Sequence, residues 1–319
     1  MTDAIKGYLT EGLMLPEGPV AMPDGSLIVV EVLGGRLTCI AADGTRTTVA
    51  ELGGGPNGAA IGPDGRCYVC NNGGFDHMTL PGGGLLPLEA PPGTPPGSIQ
   101  VVDLETGAFE TLYAHSEETP FWGPNDIVFD DAGGFWFTDF GRDRGRTRMR
   151  GALYYAKADG SEIREVVPSL DGPNGVGLSP DGKTLYVALT FEGHLISFRL
   201  AGPGVIDTSA SHMPNGSSIV GRAGPGMYLD SLAVDSAGRI CCASPGIGAV
   251  LVFPPEGGAP EVIAIPDFLT TNIAFGGTDR RTAYVTMGST GRVALLDWDV
   301  PGLELAFNLV RQALLHAFV

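Results

Sequence analysis

Six polar residues recur along the chain, and each of them stands at the start of a short apolar segment. They are Glu17, Asn57, Asn125, Asn174, Asp230 and Asn272. Their side chains offer only carboxylate and amide oxygens, which is the donor set that hard cations select. Ca²⁺ fits this set best, and Mg²⁺, Mn²⁺ or Zn²⁺ are alternatives. Glu17 and Asp230 would balance the charge of one divalent ion, while Asn125 and Asn174 would supply carbonyl oxygens.

The segments that contain these residues repeat one structural unit. Each has a polar residue, a short apolar strand, a turn with Gly or Asp and a second strand, as in PNGAAIGPDGRCYV from Pro56. Most units continue into another hairpin, which makes four strands per unit. The six polar residues are 40, 68, 49, 56 and 42 residues apart, spacings that suit four-stranded blades with loop insertions. The sequence therefore predicts an all-β fold, a six-bladed β-propeller of antiparallel strands, formed by residues 1–319 as one domain.

The two ends of the chain are expected to meet in the last blade. After the sixth unit only one further strand is evident, GRVALLDWDV, so this blade would expose an unpaired edge. The N-terminal segment AIKGYLTEG precedes the first inner strand and could fill that position. We therefore predict that an N-terminal strand closes the sixth blade, and that residues 301–319 form a C-terminal tail.

In a propeller the innermost strand of each blade lines the central channel, so the six polar residues should meet at one mouth of that channel. Carboxylates and amides gathered there would be destabilising unless a cation or ligand satisfied them. Asn57 and Asn272 complete the ring, where they could orient the metal ligands or contact a substrate. The alternative, that such residues only cap turns, would explain one position better than six equivalent ones.

Two apparent nucleotide-binding motifs lack the context that such motifs need. GLSPDGKT from Gly177 matches a phosphate loop, and GGGPNG from Gly53 matches a dinucleotide fingerprint. Both motifs require a helix after the glycines, whereas the segment TLYVALT that follows Lys183 has the composition of a strand. We therefore interpret both as turns between strands. The PDG turns at residues 63–65 and 180–182 should lie on the face opposite the six polar residues.

Composition excludes several classes of partner. The net charge of −17 argues against nucleic acid and anionic membranes, because both bind basic surfaces. The sequence has no apolar run of membrane-spanning length and no apolar signal core, so a cytoplasmic location is expected. Five cysteines fall in predicted strands and are expected to be small buried residues: Cys39, Cys67, Cys70, Cys241 and Cys242.

This pattern resembles the calcium-dependent lactonases of the SMP-30, gluconolactonase and LRE-like family, which are six-bladed propellers that open lactone rings. The resemblance spans nearly the whole chain. In that family the Glu of E-G-P, the Asn of P-N-G and the Asp of a D-S pair hold the metal, which implies Glu17, Asn174 and Asp230. The asparagine of P-N-D, here Asn125, binds the metal in some branches and touches the substrate in others.

The third unit carries a branch-specific likeness. NDIVFDDAGGFWFTDFGR is most similar to the drug-responsive lactonases, which implies that Asp139 belongs to a second, structural calcium site. The branch that acts on sugar acids has Arg two residues before the N-D asparagine, where this chain has Gly123. The neighbouring Phe121 and Trp122 either suggest a less polar substrate or serve as wall residues that pack the loop, and Trp122 is a candidate substrate contact.

The resemblance implies a metal-dependent hydrolase of a cyclic carboxylic ester. The cation would polarise the carbonyl, and either Asp230 as general base or a water activated by the metal would provide the nucleophile. Residues 73–97 are expected to form a lid, and Arg142 and Arg144 are candidate binders of a substrate carboxylate. The alternatives are a phosphotriester hydrolase on the same site, another calcium-assisted carbonyl reaction, and a non-catalytic binding propeller with a structural cation.

Overall fold

The computed structural model describes residues 5–117 and 119–308, and nearly all of its regular structure is β-strand. The strands of each blade are given in order from the channel outward. Blade one consists of Pro16–Ala21, Leu27–Glu31, Arg36–Ile40 and Arg46–Glu51, and blade two of Pro56–Ile61, Cys67–Asn71, Ser98–Val102 and Phe109–Tyr113. Blade three consists of Pro124–Phe129, Gly134–Asp139, Gly151–Lys157 and Ile163–Leu170. Blade four consists of Pro173–Leu178, Thr184–Leu189, His194–Gly202 and Ser217–Arg222, and blade five of Leu232–Val234, Ile240–Ser244, Ala249–Phe253 and Glu261–Ala264. Blade six consists of Thr270–Gly276, Thr282–Met287, Arg292–Asp297 and Ile5–Thr10.

Shorter elements decorate these blades. Val205–Ile206 also pairs with the third strand of blade four, and a 3₁₀ turn follows at Thr208–Ala210. Three small hairpins are formed by His77–Thr79 with Leu85–Pro87, by His115–Ser116 with Thr119–Pro120, and by Arg142–Arg144 with Thr147–Met149. No helix in the described residues is long and apolar enough to span a membrane.

The six sheets form a closed β-propeller, which confirms the predicted architecture. The inner strand of each blade contacts the inner strand of the next, and that of the sixth blade returns to Pro16–Ala21 of the first. Ile5–Thr10 pairs with Arg292–Asp297, with Tyr8 opposite Ala294, so the N-terminal strand closes the last blade as predicted. This closure joins the two ends of the ring and removes the exposed edge.

Large apolar side chains fill the wedges between neighbouring blades. The wedge between blades two and three is the most aromatic, and in it Phe135 contacts Phe129, with ring centroids 5.2 Å apart. In the same wedge Phe121 meets Phe137 edge to face at 5.4 Å. Burial of these rings is a main source of stability, because each aromatic side chain removes a large apolar area from water. Phe121 therefore packs the wall beneath the third blade and is fully buried.

The two nucleotide-like motifs are turns between strands, as the sequence analysis indicated. Strand Thr184–Leu189 follows the phosphate-loop match, and strand Pro56–Ile61 contains part of the other. Residues 180–182 line a cavity on the face opposite Asn174, in agreement with their predicted position. The cysteines are free thiols, of which Cys39 is half-buried and the other four are buried.

The C-terminal segment crosses the far face, the one that carries the PDG turns. Leu303 donates its backbone N–H to Val234 O at 3.1 Å. The ring of Phe307 packs on Phe129 with centroids 5.7 Å apart. Residues 309–319, which include the helix-like part of the predicted tail, lie outside the described residues.

Candidate functional site

A local irregularity helps to place five of the six polar residues at the channel. In five blades the pairing of the first two strands shifts in register at or beside the polar residue, for example between Glu17 and Val20 and between Pro173 and Val176. Such bulges turn a side chain away from the direction that regular pleating would give it. The bulges therefore explain how residues at the start of each inner strand come to face one axis.

Glycine follows the polar residue in three units because the inner strands approach one another closely. A Cβ on Gly58 would lie 2.4 Å from Asn125 O, and a Cβ on Gly175 would lie 2.7 Å from Asp230 O. Gly18 is similarly confined, 2.5 Å from Asn57 O, and has a positive φ of 50°. The E-G and N-G pairs are thus the sequence signature of a narrow ring of backbones around the axis.

The near face, where the inner strands begin, has a cavity of about 350 Å³. Seven of the predicted site residues line it: Glu17, Asn57, Trp122, Asn125, Arg142, Asn174 and Asp230. The remaining walls are largely apolar and include Leu15, Phe75, Leu88 and Phe140. A larger cavity of about 570 Å³ opens on the far face and reaches Asp126 and Asn272 at its inner end.

Acidic groups at the floor of the near-face cavity are poorly solvated and close to one another. Burial and the nearby Asp230 carboxylate raise the pKa of Glu17 well above its usual range. Burial, with a smaller contribution from the charge of Asp126, raises the pKa of Asp230 to about 7. A positive ion would relieve both the desolvation and the mutual repulsion of these carboxylates.

Asp126 is a third acidic residue at this centre, and the sequence analysis missed it. Burial raises its pKa to about 7, although its carboxylate accepts the N–H of Ile127 at 3.0 Å and that of Val176 at 3.4 Å. It occupies the position that glycine takes in the P-N-G units, and it approaches from the far-face side. The change from P-N-G to P-N-D was the signal that could have revealed it.

The asparagines provide the test of whether a cation fits. The Oδ1 atoms of Asn57 and Asn125 are buried and accept no hydrogen bond from any described residue. Such orphaned acceptors are rare in folded proteins unless something else satisfies them. No group of three or more His, Cys, Asp or Glu side chains within the described residues could hold a metal. An ion at this centre would therefore need amide oxygens beside the carboxylates, which is the mixed set that the sequence predicts.

Hydrogen bonds hold two further members of the ring in place. Asn174 donates through Nδ2 to Thr190 Oγ1 at 3.2 Å, and its amide partly offsets the rise in the pKa of Asp230. Asn272 donates through Nδ2 to Glu17 Oε2 at 2.8 Å. Asn272 does not line the near-face cavity, so its predicted contact with substrate has no support in this geometry. Its position instead orients Glu17.

Asp139 anchors the loop that carries Trp122. Its Oδ2 accepts the N–H of Trp122 at 2.7 Å, and its Oδ1 accepts those of Gly123 and Gly141 at 2.7 and 2.8 Å. Burial raises the pKa of this carboxyl despite the three donors and the neighbouring Arg142. These contacts by themselves account for a buried aspartate at this position, and the second calcium site at Asp139 stays a prediction.

Arg142 connects blade three to the long insertion of blade two. Its Nη2 donates to Asn72 O at 2.6 Å, and its Nη1 donates to Thr94 O and Pro95 O, both at 3.2 Å. These carbonyls lie at both ends of residues 73–97, so Arg142 clamps the base of the insertion. It also lines the cavity, and its binding of a substrate carboxylate stays a prediction beside these backbone bonds. The side chain of Arg144 lies outside the described part of the structure.

Comparisons with known proteins agree with this geometry. The sequence model of the SMP-30/Gluconolactonase/LRE-like region matches residues 15–289. Lactonase drp35 of Staphylococcus haemolyticus is 33% identical over 254 residues, which cover 77% of this chain and 68% of that protein. Lactonase drp35 of Staphylococcus saprophyticus is 32% identical over 263 residues, covering 80% of this chain and 71% of that protein.

Solved structures share the fold. A gluconolactonase from Xanthomonas campestris has a TM-score of 0.71 at 22% identity, with 92% of this chain and 91% of that chain covered. Regucalcin, a calcium-binding protein from Agrobacterium tumefaciens, has a TM-score of 0.68 at 21% identity, with 94% and 98% covered. At these identities the likeness concerns the fold alone. The family match over most of the sequence and the identity to the drp35 proteins show that the chain belongs to the SMP-30/gluconolactonase/LRE-like family.

Proposed function

We propose that this protein is a lactonase that opens a cyclic carboxylic ester in the near-face cavity with the help of a divalent cation, Ca²⁺ being the first candidate. Its similarity to proteins named lactonase drp35 supports the reaction class. The observation that carries the metal is the pair of buried, unpaired Oδ1 atoms of Asn57 and Asn125. They lie in the same cavity as the desolvated carboxylates of Glu17 and Asp230.

Each residue has a distinct task in the proposed reaction. Glu17, Asn125, Asn174 and Asp230 would hold the ion, and the bound ion would supply Lewis acidity toward the ester carbonyl. Glu17 Oε2 accepts from Asn272 Nδ2 and from the Gly18 N–H, both at 2.8 Å, and these bonds orient its carboxylate for the proposed role. Asp230 is the more exposed of these two acidic residues. We therefore assign to Asp230 the removal of a proton from an attacking water.

The walls of the cavity favour an apolar lactone over a polyhydroxylated one. Phe75, Leu88, Trp122, Phe140 and Leu269 present apolar surface above the polar floor. A sugar lactone would bury hydroxyl groups against these side chains without hydrogen-bond partners, which is destabilising. A lactone with an alkyl or aromatic substituent would place its ester at the floor and its apolar part against the walls.

Metal binding and catalysis can be tested separately. Metal-stripped protein is titrated calorimetrically with Ca²⁺, Mg²⁺, Mn²⁺ and Zn²⁺, and rates are then measured on alkyl lactones, gluconolactone and a phosphotriester. We expect Asn125→Ala to weaken metal binding at least about tenfold, as removal of a ligand-sphere group typically does. Asp230→Asn should abolish lactone opening. Asp131→Asn, an exposed residue of the far face, is the matched control and should change neither.

Three results would contradict the proposal in different ways. If the protein bound no divalent ion, the proposed metal site would be refuted. Tight binding with no hydrolysis of any ester would indicate a structural cation in a binding propeller. Turnover of the phosphotriester without turnover of lactones would indicate the phosphotriesterase alternative.

A further inference from the structure

The insertion of blade two reaches across the near face to blade six. Its hairpin pairs His77 with Pro87 and Thr79 with Leu85, and the Leu85 N–H donates to Ser289 O at 2.8 Å. Ser289 follows the second strand of blade six, and blade one lies between blades two and six. We call residues 75–90 the crossing hairpin. It bridges non-adjacent blades at the edge of the cavity that its own Phe75 and Leu88 help to line.

The base of the insertion is held rigidly. Arg142 binds carbonyls at both ends of it, as described above, and the Gly97 N–H donates to Phe121 O at 2.9 Å. A Cβ on Gly73 would lie 2.4 Å from Pro95 O, and a Cβ on Gly97 would lie 2.2 Å from the ring of Pro124. Close packing of this kind leaves the base no room to shift.

The crossing hairpin itself is held much more weakly. No residue from 75 to 90 is buried, and the exposed fractions of Phe75 and Leu88 are 38% and 41%. Among the described residues, a single backbone hydrogen bond joins it to the rest of the ring, from the Leu85 N–H to Ser289 O. Segments with few buried apolar contacts open at low free energy while the core around them stays folded. A rigid base with a weakly held tip allows the tip to move away from the ring while the base stays in place, which is how a gate works.

We propose that the crossing hairpin is the specificity-determining wall of the site, which opens at Ser289 to admit a lactone and closes Phe75 and Leu88 over its apolar substituent. This inference rests on the proposed lactonase function for the identity of the occupant. The two exposed apolar side chains on the cavity side support this inference directly, because a ligand enclosed by the hairpin would remove both from water. Met78, which is 47% exposed on the same hairpin, does not line the cavity.

A reversible cross-link tests the gate. A Cβ on Gly84 would lie 2.6 Å from Ser289 Oγ, and Gly84 has no positive φ, so Gly84→Cys with Ser289→Cys is placed to form a disulfide. Four of the five native cysteines are buried, which favours oxidation at the engineered pair. We expect kcat/KM for an alkyl-substituted lactone to fall at least tenfold on oxidation and to recover on reduction. Each single cysteine variant is the control.

Side-chain truncation tests the specificity. Phe75→Ala and Leu88→Ala should each raise KM for the alkyl-substituted lactone about tenfold relative to unsubstituted γ-butyrolactone, with kcat nearly unchanged, because each removes apolar contact made to the bound substrate. Met78→Ala is the matched control on the same hairpin and should leave both constants unchanged. An equal effect of all three substitutions would mean that the hairpin acts only through its folding.

Hydrogen exchange separates this inference from the proposed function. Amides of residues 75–90 should exchange faster than those of the blade strands, and oxidation of the cysteine pair should slow them, whether or not any lactone is hydrolysed. A protein that opens no lactone but shows this exchange would refute the function and leave the gate intact. Turnover unaffected by a verified cross-link, exchange as slow as in the blades, or a pair that does not cross-link would each overturn the gate.

Discussion

Replacement of Asp139 by Asn should destabilise the protein through the loop beside the site. Asn has nearly the same shape as Asp, so the change leaves packing in place and alters only the hydrogen bonds. Its Oδ1 can still accept the N–H groups of Gly123 and Gly141, now 2.7 and 2.8 Å from a carboxylate oxygen. Its Nδ2, however, would face the N–H of Trp122, which now donates to Oδ2 at 2.7 Å. One good hydrogen bond is thereby replaced by two opposed donors.

The size of the effect follows from these contacts. Bonds to a charged acceptor contribute about 1.5–3 kcal/mol and neutral ones about 1 kcal/mol, so neutralising two of them loses roughly 1–4 kcal/mol. The stranded Trp122 N–H adds about 1–3 kcal/mol. Burial of a neutral amide in place of a carboxylate returns part of this, since burial already raises the pKa of Asp139. We expect a net loss of about 3 kcal/mol.

Urea unfolding monitored by fluorescence measures this loss as a shift of the midpoint at constant slope. The unfolding is repeated in excess Ca²⁺ and in excess chelator, because contacts within the chain persist in both whereas a calcium ligand would matter only in the first. Asp103→Asn is the control, since Asp103 also accepts two backbone N–H groups, those of Glu105 and Thr106, but in an exposed turn. We expect no measurable shift for it.

Two results would refute this reasoning. An Asp139→Asn protein that unfolds at the same midpoint as the parent would show that the three N–H contacts contribute little. A destabilisation that disappears in chelator would show that Asp139 acts by binding calcium, and would support the second metal site that the resemblance implies.

Two further predictions concern the ring. Gly175→Ala should destabilise the protein by roughly 1–3 kcal/mol and weaken metal binding, because the new Cβ would lie 2.6 Å from Leu232 N and 2.7 Å from Asp230 O. Calorimetric melts measure the loss of stability. Gly202→Ala is the control in parallel melts, since a Cβ at that position has open space around it. Removal of residues 1–10 should expose the edge of Arg292–Asp297 and produce a less stable, association-prone protein, which size-exclusion chromatography and thermal melts would reveal. An elution profile and melting temperature unchanged from the parent would contradict the closing role of this strand.

The repeat in the sequence was sufficient to predict the ring, because each unit carries its own turn residues and strand composition. The closing strand was predictable for a related reason, since an unpaired edge in the sixth blade required a partner. The positions of Glu17, Asn125, Asn174 and Asp230 in one cavity follow from propeller geometry once six blades are accepted. The bulges that aim these side chains carry no sequence signal of their own and could not be predicted.

Contacts that join distant parts of the chain account for the other differences. Arg142 was expected to bind a substrate carboxylate, but its partners are carbonyls up to 70 residues away, in a segment whose path no local pattern specifies. Asn272 was expected to orient the metal ligands or to meet the substrate, and its amide donates to Glu17, 255 residues earlier, which fits the first of these roles. Asp126 was missed because regular strand alternation places the residue after Asn125 away from the channel. The bulge cancels that alternation.

Rigidity and weakness are distributed around this site in a way that serves the proposed reaction. Desolvated carboxylates and unpaired amide oxygens are unfavourable for folding, so the structure near them must be stabilised by other contacts. Blade three provides this support next to Asn125, through the aromatic wedge at Phe129 and the three bonds to Asp139. The crossing hairpin on the opposite side of the cavity has no comparable packing. The polar floor is therefore held in place before a substrate arrives, while the apolar wall can move to admit it.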